Sequence, residues 1–235
     1  MLLISVPHAM PVWFKAFCDI VEAIAYTFML VPATLAVYKR RSLRGGMRIL
    51  AYLPAYLFGM FVLTRIGNYI FHYNLPFIHI STIGETLLYI KIYHDEFIDK
   101  KAKQHIRILA AIFLLFAFID SLWLEGFDKI NSYTNLVESV FIIGLSFLFF
   151  ERIAIQKRQI PIQKIPLFVA TVGIVIYLSG TIILYLTVNH FIVFNDEYNA
   201  RKIYLFNSLL VLLLAITLFR SFLLINIEHK KATII

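Results

Sequence analysis

Residues 166–190 read PLFVATVGIVIYLSGTIILYLTVNH and contain no Asp, Glu, Lys or Arg. About 20 mainly apolar residues are enough for a helix to cross the hydrocarbon core of a bilayer. An uncharged run of this length is therefore typical of a transmembrane helix. Similar runs recur along the whole chain between short polar breaks, so the sequence predicts a polytopic membrane protein.

The composition agrees with this prediction. Of the 235 residues, 60% are hydrophobic and 15% are charged, whereas soluble domains have about 25% charged residues. The net charge is +8, but Lys and Arg gather in the cytoplasmic loops of membrane proteins, so this charge does not indicate nucleic-acid binding. Cys18 is the only cysteine, which excludes an intrachain disulfide and a cysteine-rich metal site.

Seven apolar segments separated by short loops predict an all-α protein with one seven-helix transmembrane domain over residues 1–235. Pro32 and Pro54 fall inside the first two segments and predict a kink in each, because proline lacks the N–H of a helical hydrogen bond. The predicted helices cover about residues 13–38, 49–73, 76–94, 106–125, 132–151, 166–190 and 201–225.

The distribution of basic residues predicts the orientation. One set of loops carries fifteen Lys and Arg residues, whereas the opposite set carries four. Because positive charge stays in the cytoplasm, the N-terminus is expected outside and the C-terminus inside. The fifteen residues are Lys39, Arg40, Arg41, Arg44, Arg48, Lys100, Lys101, Lys103, Arg107, Arg152, Lys157, Arg158, Lys164, Lys230 and Lys231, and the four are Lys15, Lys129, Arg201 and Lys202.

Ionisable side chains inside the predicted helices mark a candidate site. An ionised group in the membrane costs roughly 2.5–3.5 kcal/mol on insertion scales, so such groups normally pair inside a bundle. Arg65 is the only basic residue at its depth, and Glu85, Asp120 and Glu138 are its candidate partners. We expect these four residues to form one network facing outward, either as a functional site or as a static ion-pair network. Three acidic residues nearer the surface are expected to be solvated: Asp19, Glu22 and Glu125.

All seven predicted helices also carry uncharged polar residues, mostly in their outer halves. This distribution predicts a pocket that opens to the outside and is closed below by apolar packing. Alternatively, such residues act only as hydrogen-bonding contacts between helices, worth about 0.6 kcal/mol each on average. The candidates for the pocket are Tyr89, Asn131, Asn135, Tyr185 and Asn207.

Metal binding and familiar enzyme activities have little support. His72, His79 and His190 are expected at the outer ends of their helices, where they could form a three-ligand zinc site with a carboxylate. However, no HxxxH or HExxH spacing occurs, the seventh helix has only Lys202 and so lacks a mid-helix lysine for retinal, and there is no GxSxG motif. The sequence therefore predicts no metal, no cofactor and no recognisable enzyme chemistry.

Three stretches carry a resemblance to a known family. Residues 74–89 read NLPFIHISTIGETLLY, residues 130–133 read INSY and are followed by Glu138 and Ser139, and the sixth helix contains PLF at 166–168 and IYLSG at 176–180. Over about residues 54–224 the chain resembles a widespread bacterial family of seven-helix integral membrane proteins of unassigned activity, many of them encoded beside sensor histidine kinases. The resemblance implies that Glu85, Asn131 and Glu138 share a site, and it implies no reaction. Where Val169 stands the family often has Trp, which puts a stacking contact in doubt.

These observations favour a receptor-like sensor in the inner (plasma) membrane. It would bind a small ligand in the outward-facing pocket and signal to a cytoplasmic protein. Its partners would be the bilayer, that ligand and that protein, but no nucleic acid. A proton-coupled or small-solute transporter remains open because deep carboxylates are common proton carriers. An intramembrane enzyme acting on lipid, with two carboxylates as acid and base, and a purely structural role also remain open.

Overall fold

The computed structural model describes residues 10–127, 129–156, 161–194 and 196–225. Every regular element within these ranges is helical, and no β-strand occurs in them. The prediction of an all-α protein is confirmed.

Seven long helices follow one another along the described chain, joined by short loops. The first two are each interrupted once, and the fourth ends in a π-helical turn at Asp120–Leu124. Short 3-10 turns lie at Arg40–Ser42 and Ile162–Lys164. The helices are α1 Val12–Tyr38, α2 Gly46–Phe71, α3 Leu75–Glu96, α4 Lys100–Ile119, α5 Ser132–Gln156, α6 Pro166–Val193 and α7 Glu197–Leu223.

Two of the helices that begin earlier than their apolar segments predicted start directly after a capping aspartate. The Asp99 side chain accepts a hydrogen bond from the Ala102 N–H at 3.1 Å, so α4 begins at Lys100. Asp196 accepts one from the Asn199 N–H at 3.1 Å in the same way, at the start of α7. Hydropathy detects only the apolar part of a helix, whereas an aspartate cap stabilises a polar first turn beyond it.

The predicted interruptions at the two prolines are confirmed. In α1 the regular helix stops at Phe28 and resumes at Leu30, just before Pro32. In α2 it stops at Leu50 and resumes at Leu53, which places Pro54 in the first turn of the second segment. Proline cannot donate the helical hydrogen bond and its ring crowds the preceding turn, so the helix is broken on the N-terminal side of the proline.

Five of the helices are long and apolar enough to cross a membrane, which indicates a multi-pass membrane protein. They are Val12–Tyr38, Gly46–Phe71, Lys100–Leu124, Pro166–Val188 and Glu197–Leu223. The other two long helices, α3 and α5, have 22 and 25 residues, which is close to the length of these five. Polar residues lie on the buried face of α3, for example Thr82, Glu85 and Thr86.

Two sets of polar contacts between helices lie at opposite ends of the bundle. At one end, which we call the basic end, the Gly46 N–H donates to Glu96 and the Ser221 hydroxyl donates to the Pro166 carbonyl at 2.7 Å. At the other end, which we call the Arg65 end, Arg65 and Glu22 join α2 to α1. Buried apolar side chains of most helices fill the space between, and they form one continuous core.

Lys39 closes the basic end by holding the last turn of α7. Its ammonium group donates to the carbonyl of Leu223 at 3.1 Å and to that of Ile225 at 2.6 Å, and the residue is 9% exposed. A cation is favoured at a helix C-terminus, where carbonyl groups lack helical donors. We expect Lys39→Met to lower the free energy of unfolding by about 1.5–3 kcal/mol, because two charge-assisted hydrogen bonds are lost.

Thermal unfolding of the purified protein in detergent micelles would measure this change. Arg40→Met is the matched control. This substitution also removes one positive charge, at the next position, but the Arg40 side chain is exposed. Equal destabilisation by the two variants would show that the contact to α7 contributes nothing specific.

Candidate functional site

A cavity of about 680 Å³ opens at the Arg65 end of the bundle. It is lined by residues of α1, α2, α3, α5, α6 and α7, and by Asn74 and Ile130 from two loops. Drug-sized ligands occupy pockets of about 300–1,000 Å³, so its volume suits a small molecule. Five residues singled out from the sequence line it: Arg65, Glu85, Asn135, Tyr185 and Asn207.

Ion pairs between helices form the rim of this cavity. The Arg65 guanidinium lies 2.6 Å from a Glu22 carboxylate oxygen and 3.9 Å from Asp19. Arg201, on α7, binds Asp19 at 2.9 Å and lies 3.9 Å from Glu197. Asp19 therefore lies between two arginines, so α1, α2 and α7 are joined by charge at this end.

The expected pairing of Arg65 with Glu85, Asp120 or Glu138 is wrong, and these four residues do not form one network. Arg65 instead pairs across the α1–α2 contact with Glu22, which was expected to be only solvated. Helical periodicity shows which residues share a face of one helix, but it does not show which helix lies opposite.

Glu85 lies deep in the cavity. It is 7% exposed, it lines the cavity wall, and one of its carboxyl oxygens accepts a hydrogen bond from the Tyr89 hydroxyl at 2.7 Å. Glu138, on α5, is 2% exposed, and its Oε1 has no hydrogen-bond partner within the described chain. Neither carboxyl is joined to a lysine or arginine by any ion pair in the described ranges. These two groups therefore lack the compensation that a charge inside a bundle normally has.

Asp120 has a different role from the one expected. It is fully buried and does not line the cavity, and its Oδ2 accepts hydrogen bonds from the Thr134 N–H at 3.2 Å and the Thr134 hydroxyl at 2.6 Å. Glu125 accepts the neighbouring N–H of Tyr133 at 3.2 Å. Both carboxylates thus cap the first turn of α5, where N–H groups lack helical acceptors.

Glu125 was expected to be solvated, but it is only partly exposed. Burial is the largest influence on its carboxyl group and raises its pKa above the ordinary value, although the Tyr133 N–H opposes this change. The helix-capping contact therefore explains its position better than simple solvation does.

Of the two predicted asparagines, Asn135 on α5 faces the cavity, whereas Asn131, just before α5, lies in the core. Asn135 lines the cavity, and its amide donates to the carbonyl and side-chain oxygens of Asn131 at 2.8 and 3.0 Å. Asn131 is fully buried behind it, and its own amide nitrogen has no hydrogen-bond partner in the described structure. Asn131 therefore positions Asn135 and does not face the cavity itself.

Tyrosines supply much of the cavity wall. Besides the predicted Tyr185, the cavity is lined by Tyr26, Tyr177 and Tyr204. The ring of Tyr26 stacks on Phe61, with centroids 4.6 Å apart and an angle of 4° between the ring planes. Tyr89 is fully buried behind Glu85 and contributes its hydroxyl to that carboxylate, not to the wall.

Our sequence prediction missed Arg201 as a residue of the site. The sequence places it at the first residue of the seventh helix, among the basic residues of the outer side, whereas it lies in the second turn of α7 and lines the cavity with Glu197 and Tyr204. Spacings of four and three residues from Arg201 place these two side chains on its face of the helix. This spacing was a signal in the sequence, and it required only the earlier start of α7.

The histidines do not form a metal site in the described ranges, where no group of three or more His, Cys, Asp or Glu residues could hold an ion. His79 is 2% exposed, and its two ring nitrogens lie 3.0 Å from the Ser121 hydroxyl and 3.1 Å from the Lys129 carbonyl. Both nitrogens are therefore engaged in hydrogen bonds. His72 is exposed at the C-terminus of α2 with a left-handed φ of 53°, and the side chain of His190 lies outside the described residues.

Comparison with known proteins gives no assignment. No protein-family model matches the chain, and neither a curated protein nor a solved structure is significantly similar to it. Inferences about function therefore depend on the cavity itself.

Proposed function

We propose that this chain is a receptor-like sensor, an inner-membrane protein whose seven helices all span the bilayer. A small ligand binds in the cavity at the Arg65 end, and its binding is communicated to a cytoplasmic protein at the basic end. The observation that carries the proposal is Glu85, a carboxyl that has no cationic partner among the described residues and is buried in the wall of an open cavity of about 680 Å³.

The proposed topology rests on helix length and on charge. A helix of about 20 residues spans the hydrocarbon core, and both α3 and α5 exceed this length. The acidic residues in the middle of these helices, Glu85 on α3 and Glu138 on α5, are buried inside the bundle. The excess of Lys and Arg at the basic end favours a cytoplasmic location for that end, with the cavity outside.

Apolar packing below the cavity supports a sensor over an open channel. The core toward the basic end contains fully or almost fully buried apolar side chains from five helices. A ligand held above this layer can influence the other side only through movements of the helices, and the breaks before Pro32 and Pro54 are places where α1 and α2 can bend. The residues of this layer include Leu50, Ile92, Phe149, Leu167, Leu218 and Phe222.

A proton-coupled transporter is the second candidate, because buried hydroxyl groups continue from the cavity into the core. Glu85, Tyr89 and Tyr93 follow one another at four-residue spacing on one face of α3. The Tyr93 hydroxyl lies 2.7 Å from Ser146, whose own hydroxyl donates to a backbone carbonyl, and both residues are fully buried. Such a column of hydroxyl groups can carry protons from the cavity through part of the core.

A cavity-filling variant tests the ligand site. Thr64 lines the cavity and is only partly exposed, so the ring of Thr64→Trp would occupy the space of a ligand. We expect wild-type protein to be stabilised by some members of a chemically diverse metabolite library, because ligand that binds the folded state raises the melting temperature. Thr64→Trp should abolish that stabilisation. Thermal unfolding of the detergent-purified protein is the measurement.

Ile66→Trp is the matched control, because Ile66 lies on the same helix, is 45% exposed and does not line the cavity. It should respond to the ligand as wild type does. If the ligand stabilised Thr64→Trp and Ile66→Trp equally, binding would lie elsewhere and the proposal would be wrong.

Reconstitution into lipid vesicles then separates the two candidates. A sensor binds the library ligand and changes distances between spin labels at the basic end, without moving radiolabelled ligand or protons across the membrane. Uptake of the ligand that responds to a proton gradient would assign the chain as a transporter.

A further inference from the structure

The described wall of the cavity has more acidic than basic side chains. Its wall contains the carboxyls of Glu22, Glu85 and Glu197 and the guanidinium groups of Arg65 and Arg201. Each arginine already has a carboxylate within hydrogen-bonding distance, Glu22 at 2.6 Å in one case and Asp19 at 2.9 Å in the other. An anionic ligand would have to displace these carboxylates before it could bind a guanidinium group.

Among the carboxyls of the wall, Glu85 is the one that forms no ion pair with an arginine or lysine of the described chain. It is far more buried than the rim carboxylates, and its only hydrogen bond in the described chain comes from the uncharged Tyr89. Glu138 is buried outside the cavity wall and is a second carboxyl that forms no ion pair with a lysine or arginine in the described chain. A positive charge placed in the cavity would therefore meet the Glu85 carboxyl in the wall, whereas both arginines of the described wall are already paired with carboxylates.

Aromatic side chains surround the same space. Six of them line the cavity, and four are tyrosines with a hydroxyl as well as a π-face. Aromatic walls with a carboxylate are the usual setting for an organic ammonium group, because the negative faces of the rings attract the cation while their carbon atoms pack against its substituents. The six residues are Tyr26, Phe61, Tyr177, Tyr185, Phe191 and Tyr204.

We propose that the cavity binds an organic ammonium ion, with Glu85 as its counter-charge and the aromatic residues around its apolar part. This inference deepens the proposed function, on which it rests, by naming the class of ligand. The volume of about 680 Å³ leaves room for substituents well beyond a simple amine.

Matched probes test the charge of the ligand. We would measure thermal unfolding of the full chain in detergent with phenethylammonium and benzyltrimethylammonium, and compare these with phenylacetate and 2-phenylethanol. The four probes share an aromatic ring and differ mainly in charge. We expect only the two ammonium compounds to stabilise the wild-type protein.

Glu85→Gln should weaken binding of the ammonium probes by about 30-fold or more, as expected when one partner of a buried charge pair is removed. Glu151→Gln is the control, since it removes the same charge from an exposed position on α5 outside the cavity. If Glu85→Gln fails to fold, the comparison of the four probes on wild-type protein still decides the question.

Stabilisation by phenylacetate or 2-phenylethanol equal to that by the ammonium compounds would overturn the inference and leave a ligand pocket in place. The inference is also wrong if no probe stabilises the protein. In that case a metabolite whose binding is abolished in Thr64→Trp would keep the proposed function, whereas the absence of any such metabolite would remove both.

Discussion

Asp120→Ala should destabilise the protein by about 2–4 kcal/mol, because it leaves two buried donors without an acceptor. Asp120 is fully buried, and its Oδ2 accepts both the N–H and the hydroxyl of Thr134. Through these bonds the π-helical turn after α4 is connected to the first turn of α5, the helix that carries Glu138. In a protein of this size the change corresponds to a decrease in melting temperature of about 5–15 °C.

A double-mutant cycle with Thr134→Val isolates this contact. Thr134→Val removes the hydroxyl but keeps the backbone N–H, so alone it should cost about 1 kcal/mol. In the Asp120→Ala background the same substitution should cost much less, because its acceptor is already absent. Equal effects of Thr134→Val in both backgrounds would show that Asp120 does not stabilise α5 through this residue.

Gly173→Ala should cost about 1–3 kcal/mol by overpacking the contact between α6 and α7. A Cβ atom at position 173 would lie 2.7 Å from the Cβ of Thr217 and still closer to its hydroxyl oxygen. Thr217 cannot easily move, because it is β-branched and its hydroxyl donates to the Leu214 carbonyl at 2.8 Å. Small residues allow membrane helices to approach closely, and a methyl group here would force them apart.

Gly144→Ala is the matched control, since a Cβ at that position has no neighbour within 4 Å. It should be neutral or stabilise the protein by up to about 1 kcal/mol, the difference in helix propensity between the two residues. Both variants can be compared by chemical denaturation in detergent. If Gly173→Ala and Gly144→Ala unfolded at the same denaturant concentration, α6 and α7 would not pack as closely as described.

The fold was largely predictable because it depends on local properties of the chain. Apolar runs, prolines and aspartate caps act within one or two helical turns, so Pro32 and Pro54 correctly marked the breaks in α1 and α2. The early starts of α4 and α7 came from Asp99 and Asp196, whose capping hydrogen bonds stabilise turns that hydropathy does not detect. The seven-span topology and its orientation stay predictions.

The candidate site was predictable only in part. Glu85, Asn135 and Arg65 were correctly singled out as unusual, and all three line the cavity. Their partners were not predictable. An acidic residue inside an apolar helix can cap a helix, form an ion pair at the rim or remain without a cationic partner. The residues around it in the sequence are much the same in all three cases.

The sequence by itself determined that this protein is all-helical, where its helices break and which end of the bundle is basic. Only the tertiary structure decided that Arg65 binds Glu22, that Asp120 caps α5, and that Glu85 has no cationic partner in the described part of the chain. The physical reason is that helix formation follows from hydrogen bonds and hydropathy over a few residues, whereas pairing depends on which helices are neighbours and at what depth their side chains meet.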